Sequence, residues 1–327
     1  MINFEYTRAS SVKAAIDMLA KNPTGSYIAG GTNLVDLMKR GVTTLDRLID
    51  INNLPLKQID ETATGLMIGA LIINSELSEN ELVQKNYPLL SLALKAGASP
   101  QIRNMATVGG NILQRTRCPY FYDTTMPCNK RQPNSGCGAM EGYNRMHAIF
   151  GTSNNCIAVH PSDMCVALAA LDAIVIVNGP KGERKIKFTD FHRLPGDTPD
   201  KDNNLLKGEL ITNITIPKNP FTKNVHYLKL RDRSSYAFAL VSVAIALELN
   251  GNIIKQARLA MGGVAHKPWR LTAAENFLKG KLISTENFQQ ASIIAMKDAK
   301  GYGHNNFKLK LAPNAIIESL KTASAIS

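Results

Sequence analysis

The sequence predicts an α+β protein with more than one domain, and three observations support this prediction. The chain has 327 residues, which is more than a single hydrophobic core usually serves. Its composition, with 44% hydrophobic and 20% charged residues, is typical of a globular protein. Short stretches typical of strands and longer stretches with helical spacing follow one another without an internal repeat.

Composition and charge argue against several classes of protein. No run of about 18 apolar residues occurs, so we expect no membrane-spanning helix. The N-terminus lacks a basic segment followed by an apolar one, so we expect no signal peptide of the chain's own. Residues 221–327 are basic, with 15 Lys and Arg against 6 Asp and Glu. Because the chain has one Trp and no nucleic-acid-binding motif, this region predicts a solvated face or a contact with an acidic partner subunit, not nucleic-acid binding.

The N-terminal region predicts an anion-binding turn. Helical spacing over 12–20 is followed by a short strand over 26–29, the turn Gly30-Gly31-Thr32-Asn33 and a second helix over 34–40. Glycines between a strand and a helix permit close approach of the backbone to a phosphate, and free N–H groups point at it. A tight turn without a ligand is an equally common interpretation of this pattern.

A second glycine-rich element occupies residues 106–112, after a predicted helix over 88–96. Thr107 and Asn111 offer side-chain hydrogen bonds, and the two glycines between them open the backbone. Two Gly-Gly turns without any G-x-G-x-x-G motif argue against a Rossmann fold. Further along, Ser162 and Asp163 precede a predicted helix over 164–171, where they could cap the helix or, for Asp163, accept a hydrogen bond from a ligand.

The remaining chain predicts strands first and helices last. A change of composition at 218–220 indicates a domain linker. The predicted elements are strands over 174–177, 184–188 and 209–216, a hairpin over 238–249 and 253–261 that turns at Asn250-Gly251, and helices over 271–278, 286–299 and 315–322.

All five cysteines lie in one stretch, and four of them occur at intervals within a segment rich in Gly and Pro. Such a long irregular loop needs something to hold it, and a metal centre would supply folding energy. The spacing C-x9-C-x8-C-x18-C lacks the short knuckle of most zinc sites and the compact ferredoxin pattern. A cubane iron–sulfur cluster tolerates wide spacing, so it is the favoured prediction, with zinc and unligated thiols as alternatives. The ligands would be Cys118, Cys128, Cys137 and Cys156.

Other residues near these cysteines have less specific interpretations. Arg115, Arg117 and Lys130 would offset the negative charge of a ligated cluster. His147 and His160 could replace a cysteine ligand, although hydrogen-bonded or surface histidines are more common. Cys165 opens an apolar helical stretch and is predicted to be a small core residue.

Together these motifs resemble the flavin subunit of the xanthine dehydrogenase family over essentially the whole chain. The resemblance rests on residues 28–34, residues 107–112, Ser162-Asp163 and Lys229. The cysteine insertion is similar to that of the flavin subunits of bacterial periplasmic molybdenum aldehyde oxidoreductases, which carry a [4Fe-4S] cluster. The beta subunit of 4-hydroxybenzoyl-CoA reductase has a comparable cluster loop.

The resemblance implies a fold, cofactors and site residues. It implies a vanillyl-alcohol-oxidase-type FAD-binding domain in two subdomains, residues 1–54 and 55–218 with the cysteine loop at about 114–160. An α+β domain of the CO dehydrogenase flavoprotein type would follow at 221–327. Residues 29–34 would hold the pyrophosphate, and Asp163 would form a hydrogen bond with the adenosine part. Ile211 would lie near the adenine, and Lys229 would lie near the flavin ring. The implied FAD-binding residues are Ile28, Ala29, Gly30, Gly31, Thr32, Asn33, Leu34, Ala98, Thr107, Gly110, Asn111, Ser162, Asp163, Ile211 and Lys229.

The resemblance also implies partners and a role. The chain would pass electrons through FAD and a [4Fe-4S] cluster to an external acceptor, within a heterotrimer. Substrate oxidation would occur on a molybdenum-cofactor large subunit, and a [2Fe-2S] small subunit would relay the electrons. Periplasmic location by co-export with a signal-bearing partner is implied, with the cytoplasm as the alternative. A hydroxybenzoyl-CoA reductase-like beta subunit and a non-enzymatic, zinc-stapled anion-binding module are the alternative functions.

Overall fold

Three β-sheets organise residues 1–22 and 24–325, which the computed structural model describes. We refer to the surrounding regions as the N-terminal unit (residues 5–50), the central unit (residues 59–217) and the C-terminal unit (residues 225–324). Each contains both helices and strands, so the predicted α+β fold class is confirmed. Within the described residues, no helix is both long and apolar enough to cross a membrane.

The N-terminal unit is a small parallel sheet with two helices. Ser11 caps the first helix by accepting a hydrogen bond from the N–H of Ala14 at 3.0 Å. The apolar side of this helix packs with Ile49 and with Leu71 and Leu210 of the central unit. The two units therefore share a core, and the boundary predicted at 54/55 stays a prediction. The elements are β1 (Glu5–Arg8), α1 (Val12–Lys21), β2 (Ser26–Ile28), α2 (Leu34–Lys39) and β3 (Arg47–Asp50), in sheet order β1-β3-β2.

The central unit combines a five-stranded antiparallel sheet with short helices, and it contains the cysteine-rich segment. Strand order in the sheet is β4-β5-β8-β6-β7. Between α8 and α9 the chain forms no named helix or strand, as the density of Gly and Pro predicts. The elements are β4 (Ile59–Thr62), β5 (Gly65–Gly69), α3 (Asn74–Glu79), α4 (Glu81–Asn86), α5 (Pro88–Ala96), α6 (Pro100–Arg103), α7 (Val108–Ile112), α8 (Pro119–Tyr122), α9 (Asp163–Ala170), β6 (Ile174–Gly179), β7 (Gly182–Lys187), α10 (Phe188–Phe191) and β8 (Leu210–Pro217).

The C-terminal unit is a four-stranded antiparallel sheet, order β12-β11-β10-β9, with three helices. Alternation along β10 sends Val243 and Ile245 into the core beneath the helices and Ala244 and Ala246 into the core of the central unit. Small side chains on that second face let the helices of the central unit pack closely. The elements are β9 (Val225–Leu230), β10 (Val241–Asn250), β11 (Ile253–Gly262), β12 (Trp269–Arg270), α11 (Thr272–Leu278), α12 (Thr285–Ala295) and α13 (Lys308–Ser324).

Several predicted boundaries are wrong for identifiable reasons. The helix predicted over 315–322 is α13, which begins at Lys308 and contains Pro313. Proline normally disrupts a helix interior, but packing of α13 on β10 overrides that preference. The first strand of the predicted hairpin begins at Val241 instead of residue 238, and β1, β3, β4 and β5 are not foreseen. These four strands have only four or five residues each, too few to reveal a period.

A buried ion pair joins the central and C-terminal units. Lys229 of β9 donates to Asp163, the first residue of α9, across 2.7 Å, and both side chains are almost fully buried, at 4% and 6% exposure. Lys229 also donates to the carbonyl oxygen of Ala96 at 3.0 Å, and Tyr227 donates to Asp163 at 2.8 Å. Burial raises the pKa of Asp163, and the charge of Lys229 opposes that rise.

We expect Lys229→Met to destabilise the protein in a pH-dependent way. The change leaves Asp163 buried without its cation, which costs about 3–5 kcal/mol of unfolding free energy at neutral pH. The folded-state pKa of Asp163 would rise further above its unfolded value of about 3.9. Because the folded state then binds the extra proton, stability is lost as the pH rises through the interval between the two pKa values and is regained on acidification.

Urea unfolding between pH 4 and pH 8 measures this effect. The matched control is the double variant Asp163→Asn/Lys229→Met, which removes both charges. The double variant should recover most of the lost unfolding free energy. Its unfolding free energy should also lose most of the added dependence on pH. A Lys229→Met protein as stable as the wild type at pH 7 would contradict the prediction.

Candidate functional site

The first glycine turn offers unused backbone donors. Ile28 ends β2, Ala29 to Asn33 form the turn, and Leu34 begins α2. Gly31 has a φ of +69°, a conformation that favours glycine. The N–H groups of Gly31, Thr32 and Asn33 donate no hydrogen bond to the rest of the described chain. Three free donors in one turn suit the oxygens of a pyrophosphate.

The two glycine elements contact each other directly. A Cβ atom at Gly30 would overlap with the carbonyl oxygen of Met105, immediately before the second element. Only glycine therefore permits this approach. The structure thus brings together two motifs that are more than 70 residues apart in the sequence.

The second glycine element contributes an open surface instead of free donors. Thr107 caps α7 by accepting from the N–H of Gly110 at 3.2 Å, and the N–H of Gly109 donates to the carbonyl oxygen of Ala70 at 2.8 Å. Gly110 is exposed, and a Cβ there would meet only the Thr107 hydroxyl at 3.0 Å. The backbone at Gly110 is therefore accessible to a ligand, and any larger side chain at this position would cover it.

The polar side chains predicted to bind FAD are partly engaged within the protein. Ser162 donates to Asn111 at 2.6 Å and caps α9 by accepting from the N–H of Cys165 at 3.2 Å. The Oδ1 atom of Asn33 accepts from the N–H of Arg115 at 2.9 Å. These contacts fix the walls of the candidate site, and Asn33 ties the first turn to the start of the cysteine-rich segment.

The other predicted FAD residues lie in two regions, one around the Asp163–Lys229 ion pair and one in the core of the central unit. Ala98 has a φ of +51°, unusual for a residue with a Cβ, and it adjoins the Asp163–Lys229 pair through the neighbouring Gly97. Because Asp163 and Lys229 are in contact, they form one polar feature, although the resemblance assigned them to opposite parts of FAD. Ile211 lies apart in the core of the central unit with 3% exposure, so its side chain offers a ligand almost no surface.

A pocket of about 130 Å³ lies between the central and C-terminal units. Its wall includes two predicted FAD residues, one predicted cluster ligand and residues of the C-terminal unit. The lining residues that matter here are Ser162, Asp163, Cys118, His147, Phe238 and Gly263. Arg117 also lines this pocket without a carboxylate partner in the described chain, and burial lowers its pKa.

The four loop cysteines gather next to this pocket. Cys118 immediately precedes α8, and an isolated bridge pairs Cys128 with Cys137. Burial raises the pKa of Cys118 to about 12. The thiol of Cys156 lowers the pKa of Cys137 to about 6, and that of Cys156 is raised by the same contact. The structure thus brings together four thiols that the sequence spreads over 39 positions.

The spacing of the sulfur atoms is wider than a single metal ion requires. No three of the four, in the described residues, lie within 4.8 Å of one another. Tetrahedral zinc with Zn–S bonds of about 2.3 Å would bring its sulfur ligands to roughly 3.8 Å. A cubane binds each thiolate through a different iron and therefore needs wider separations.

Two buried lysines lie in or against the cysteine segment. Lys130, with a side-chain exposure of 3%, pairs with Asp202, which also accepts from Arg115 at 2.6 Å. Lys308 of α13 is fully buried and donates to the carbonyl oxygens of His147 at 3.0 Å and Gly263 at 2.7 Å. Burial lowers the pKa of Lys308 to about 7. These charges complement an anionic centre bound by four thiolates.

Two histidines contact cysteine sulfurs. The Nε2 atom of His147 lies 3.1 Å from the Sγ of Cys118, and that of His266 lies 3.3 Å from the Sγ of Cys156. The sequence singled out His147 only as a replacement ligand, and it missed His266 and Lys308 altogether. No local signal marks the latter two, because they lie in the C-terminal unit, from which His266 contacts Cys156 and Lys308 contacts the backbone of His147.

Cys165 lies away from this group. It is fully buried in α9, as predicted. His160 and His192 lie beside it, with ligand atoms within 4.8 Å of one another and of its sulfur. Both histidines approach the carbonyl oxygen of Ile112, at 3.4 and 2.9 Å, so they are hydrogen-bonded within the core.

Comparison with known proteins identifies relatives over the whole chain. Residues 2–219 match the family described as the FAD binding domain in molybdopterin dehydrogenase, and residues 226–323 match the CO dehydrogenase flavoprotein C-terminal domain. The chain is 48% identical to the aldehyde oxidoreductase FAD-binding subunit PaoB of Escherichia coli, covering 98% of each chain. It is 32% identical to the glyceraldehyde dehydrogenase medium chain of Sulfolobus acidocaldarius, covering 86% of this chain and 83% of that one.

The fold is shared with solved structures. A chain of carbon monoxide dehydrogenase from Hydrogenophaga pseudoflava superimposes with a TM-score of 0.78 at 26% identity, covering 100% of this chain and 99% of that one. The fold, the two contacting glycine elements and the two matched domains agree with one another. The chain therefore belongs to the FAD-binding medium subunits of the xanthine dehydrogenase family, the flavin subunits of molybdenum hydroxylases.

Proposed function

We propose that this chain is the FAD- and [4Fe-4S]-containing electron-transfer subunit of a molybdenum-dependent aldehyde oxidoreductase. Electrons from the molybdenum and [2Fe-2S] centres of partner subunits would pass through FAD to an external acceptor. One observation carries the proposal: the pocket between the units is lined both by Ser162 and Asp163 and by Cys118. Residues proposed to bind FAD and a residue proposed to bind the cluster therefore border the same pocket.

The chain's own residues are suited to hold FAD. When bound, FAD supplies a centre that can exchange electrons with one-electron and two-electron partners. The free N–H groups of Gly31, Thr32 and Asn33 would bind the pyrophosphate, and the bare surface at Gly110 would let the chain of phosphates and ribitol pass. The Asp163–Lys229 pair would present a fixed dipole to the cofactor from the pocket wall.

The cysteine segment is suited to hold a four-iron cluster. No three of its sulfurs, in the described residues, lie within 4.8 Å of one another, which favours a cubane over one zinc ion, and the buried Lys130 and Lys308 add positive charge in and against the segment. Cluster binding would also hold together a segment that has no regular structure of its own. Membership of a flavoprotein family argues against the alternative of a non-enzymatic zinc module.

The relatives support the proposed substrate class and partners. The 48% identity to an aldehyde oxidoreductase subunit favours aldehydes over the hydroxybenzoyl-CoA reductase-like alternative. Substrate would react on a molybdenum-cofactor large subunit, with a [2Fe-2S] small subunit completing a heterotrimer. We propose co-export to the periplasm with a signal-bearing partner.

The first test concerns FAD. We expect Gly110→Asp to yield protein with little or no bound flavin. The carboxylate would lie on the surface over which the anionic cofactor passes and would repel and block it. The flavin content per chain, measured from the visible spectrum and by release on denaturation, reports the effect. Gly110 is exposed, so the fold should persist and the melting temperature of the apoprotein should be unchanged.

Gly110→Asn is the matched control, since it has the same size without the charge. It should retain more flavin than Gly110→Asp. Full FAD occupancy in Gly110→Asp would show that the cofactor does not pass this surface.

The second test concerns the cluster. Serine substitution of Cys118, Cys128, Cys137 or Cys156 should each lower iron and acid-labile sulfide and destabilise the segment, because metal binding there is also folding energy. Cys165→Ser is the control: it should keep the cluster and cost on the order of 1 kcal/mol of stability. The measurement is iron and sulfide per chain in five variants purified anaerobically.

Two outcomes would refute the cluster assignment. One is zinc in place of iron in the anaerobic wild type. The other is loss of the cluster in Cys165→Ser while one of the four loop variants retains it intact.

A further inference from the structure

We propose that His147 and His266 donate N–H···S hydrogen bonds to two of the four cluster ligands and thereby raise the reduction potential of the cluster. The inference rests on the proposed function, because it requires the four-cysteine cluster. It adds two residues that bind no iron but set how readily the cluster accepts an electron.

The geometry places one imidazole on each of two ligands. The Nε2 atom of His147 is 3.1 Å from the Sγ of Cys118, and that of His266 is 3.3 Å from the Sγ of Cys156. Both histidines are buried, at 2% and 8% exposure, so water does not compete effectively for these nitrogens. The two contacts come from different parts of the chain, one from the cysteine segment and one from the C-terminal unit.

Hydrogen-bonding partners determine which atom carries the proton. A thiolate that binds iron has no proton, so a hydrogen bond between the two atoms requires the N–H to be on the imidazole. The Nδ1 atom of each histidine is buried and has no hydrogen-bond partner in the described chain. Nothing therefore draws the single proton of a neutral imidazole to Nδ1, and the Nε2–H tautomer is favoured in both residues.

The backbone of His147 is held on both sides. Its N–H donates to the carbonyl oxygen of Asn144 at 2.9 Å, and its carbonyl oxygen accepts from Lys308 at 3.0 Å and from Asn305 at 3.3 Å. The Asn305 and Lys308 side chains belong to the C-terminal unit. A donor fixed in this way is already oriented before the cluster changes its charge.

Reduction adds one electron to the cluster and no proton. The negative charge on the ligand sulfurs increases, so each N–H···S hydrogen bond stabilises the reduced state more than the oxidised state. Loss of one bond should shift the ratio of reduced to oxidised cluster at a fixed potential by roughly tenfold, and tenfold corresponds to about 59 mV for one electron.

The experiment is an EPR-monitored redox titration of the complete purified protein. His147→Leu and His266→Leu remove the donors, whereas His147→Gln and His266→Gln retain an N–H group. His226→Leu is the control, because this residue lies on β9 and contacts no cysteine among the described residues. Iron and sulfide content is measured on every sample.

We expect both Leu variants to retain the cluster with a lowered potential, the Gln variants to recover at least part of the shift, and His226→Leu to match the wild type. Leu variants with a full cluster and an unchanged potential would overturn the inference. If the Leu variants lose the cluster, the Gln variants test the inference instead. A reduction potential near that of the wild type supports the donor role of the histidines, and a reduction potential lowered by the full expected shift overturns it.

Two further outcomes separate this inference from the proposed function. Cluster loss in both the Leu and the Gln variant of one histidine would identify that residue as an iron ligand and overturn its role as a donor. A wild-type protein with FAD but no iron would overturn the proposed function itself, before the histidines are considered.

Discussion

The structure depends on how the cysteine segment is held, because this stretch of the central unit has only a small hydrophobic cluster, in which Phe121 and Cys128 pack with Leu37 of the N-terminal unit. Its later part is anchored to the C-terminal unit: Ile149 and Phe150 join that unit's hydrophobic core, and both their N–H groups donate to the carbonyl oxygen of Val264. Lys308 holds the neighbouring carbonyl of His147. The part that carries Cys128 and Cys137 is held by hydrogen bonds within the segment and by the Lys130–Asp202 ion pair, and a cluster would join its thiols to Cys118 and Cys156.

This arrangement would hold the proposed flavin site next to the proposed cluster site. Asn33 joins the first glycine turn to the start of the cysteine segment, and the Asp163–Lys229 ion pair joins the central unit to the C-terminal unit. Both contacts border the same region of the molecule. Electron exchange between two centres requires a short and constant distance between them, and these contacts would help to fix that distance if both proposed centres are bound.

Sequence reasoning worked where the determinant is local. The glycine turns, the Ser162 cap and helix α5 follow from neighbouring residues alone. Sequence reasoning failed where a side chain's role depends on residues far away in the sequence. The contact between Asp163 and Lys229 depends on the packing of α5 on β9 and of α9 on β10 and β11, and Lys308 and His266 acquire their surroundings only from the fold. Thr107 matched a binding motif, but its hydroxyl caps α7, a role that the motif alone does not distinguish.

The most direct test of the account is an anaerobic reductive titration of the purified chain, followed by visible absorption and EPR. The account predicts uptake of about three electrons per chain, two by the flavin and one by the cluster. Bleaching of the flavin band should be accompanied by the EPR signal of a reduced [4Fe-4S] cluster. Uptake of about two electrons, with no such signal and no iron in the protein, would contradict the claim that one chain holds both centres.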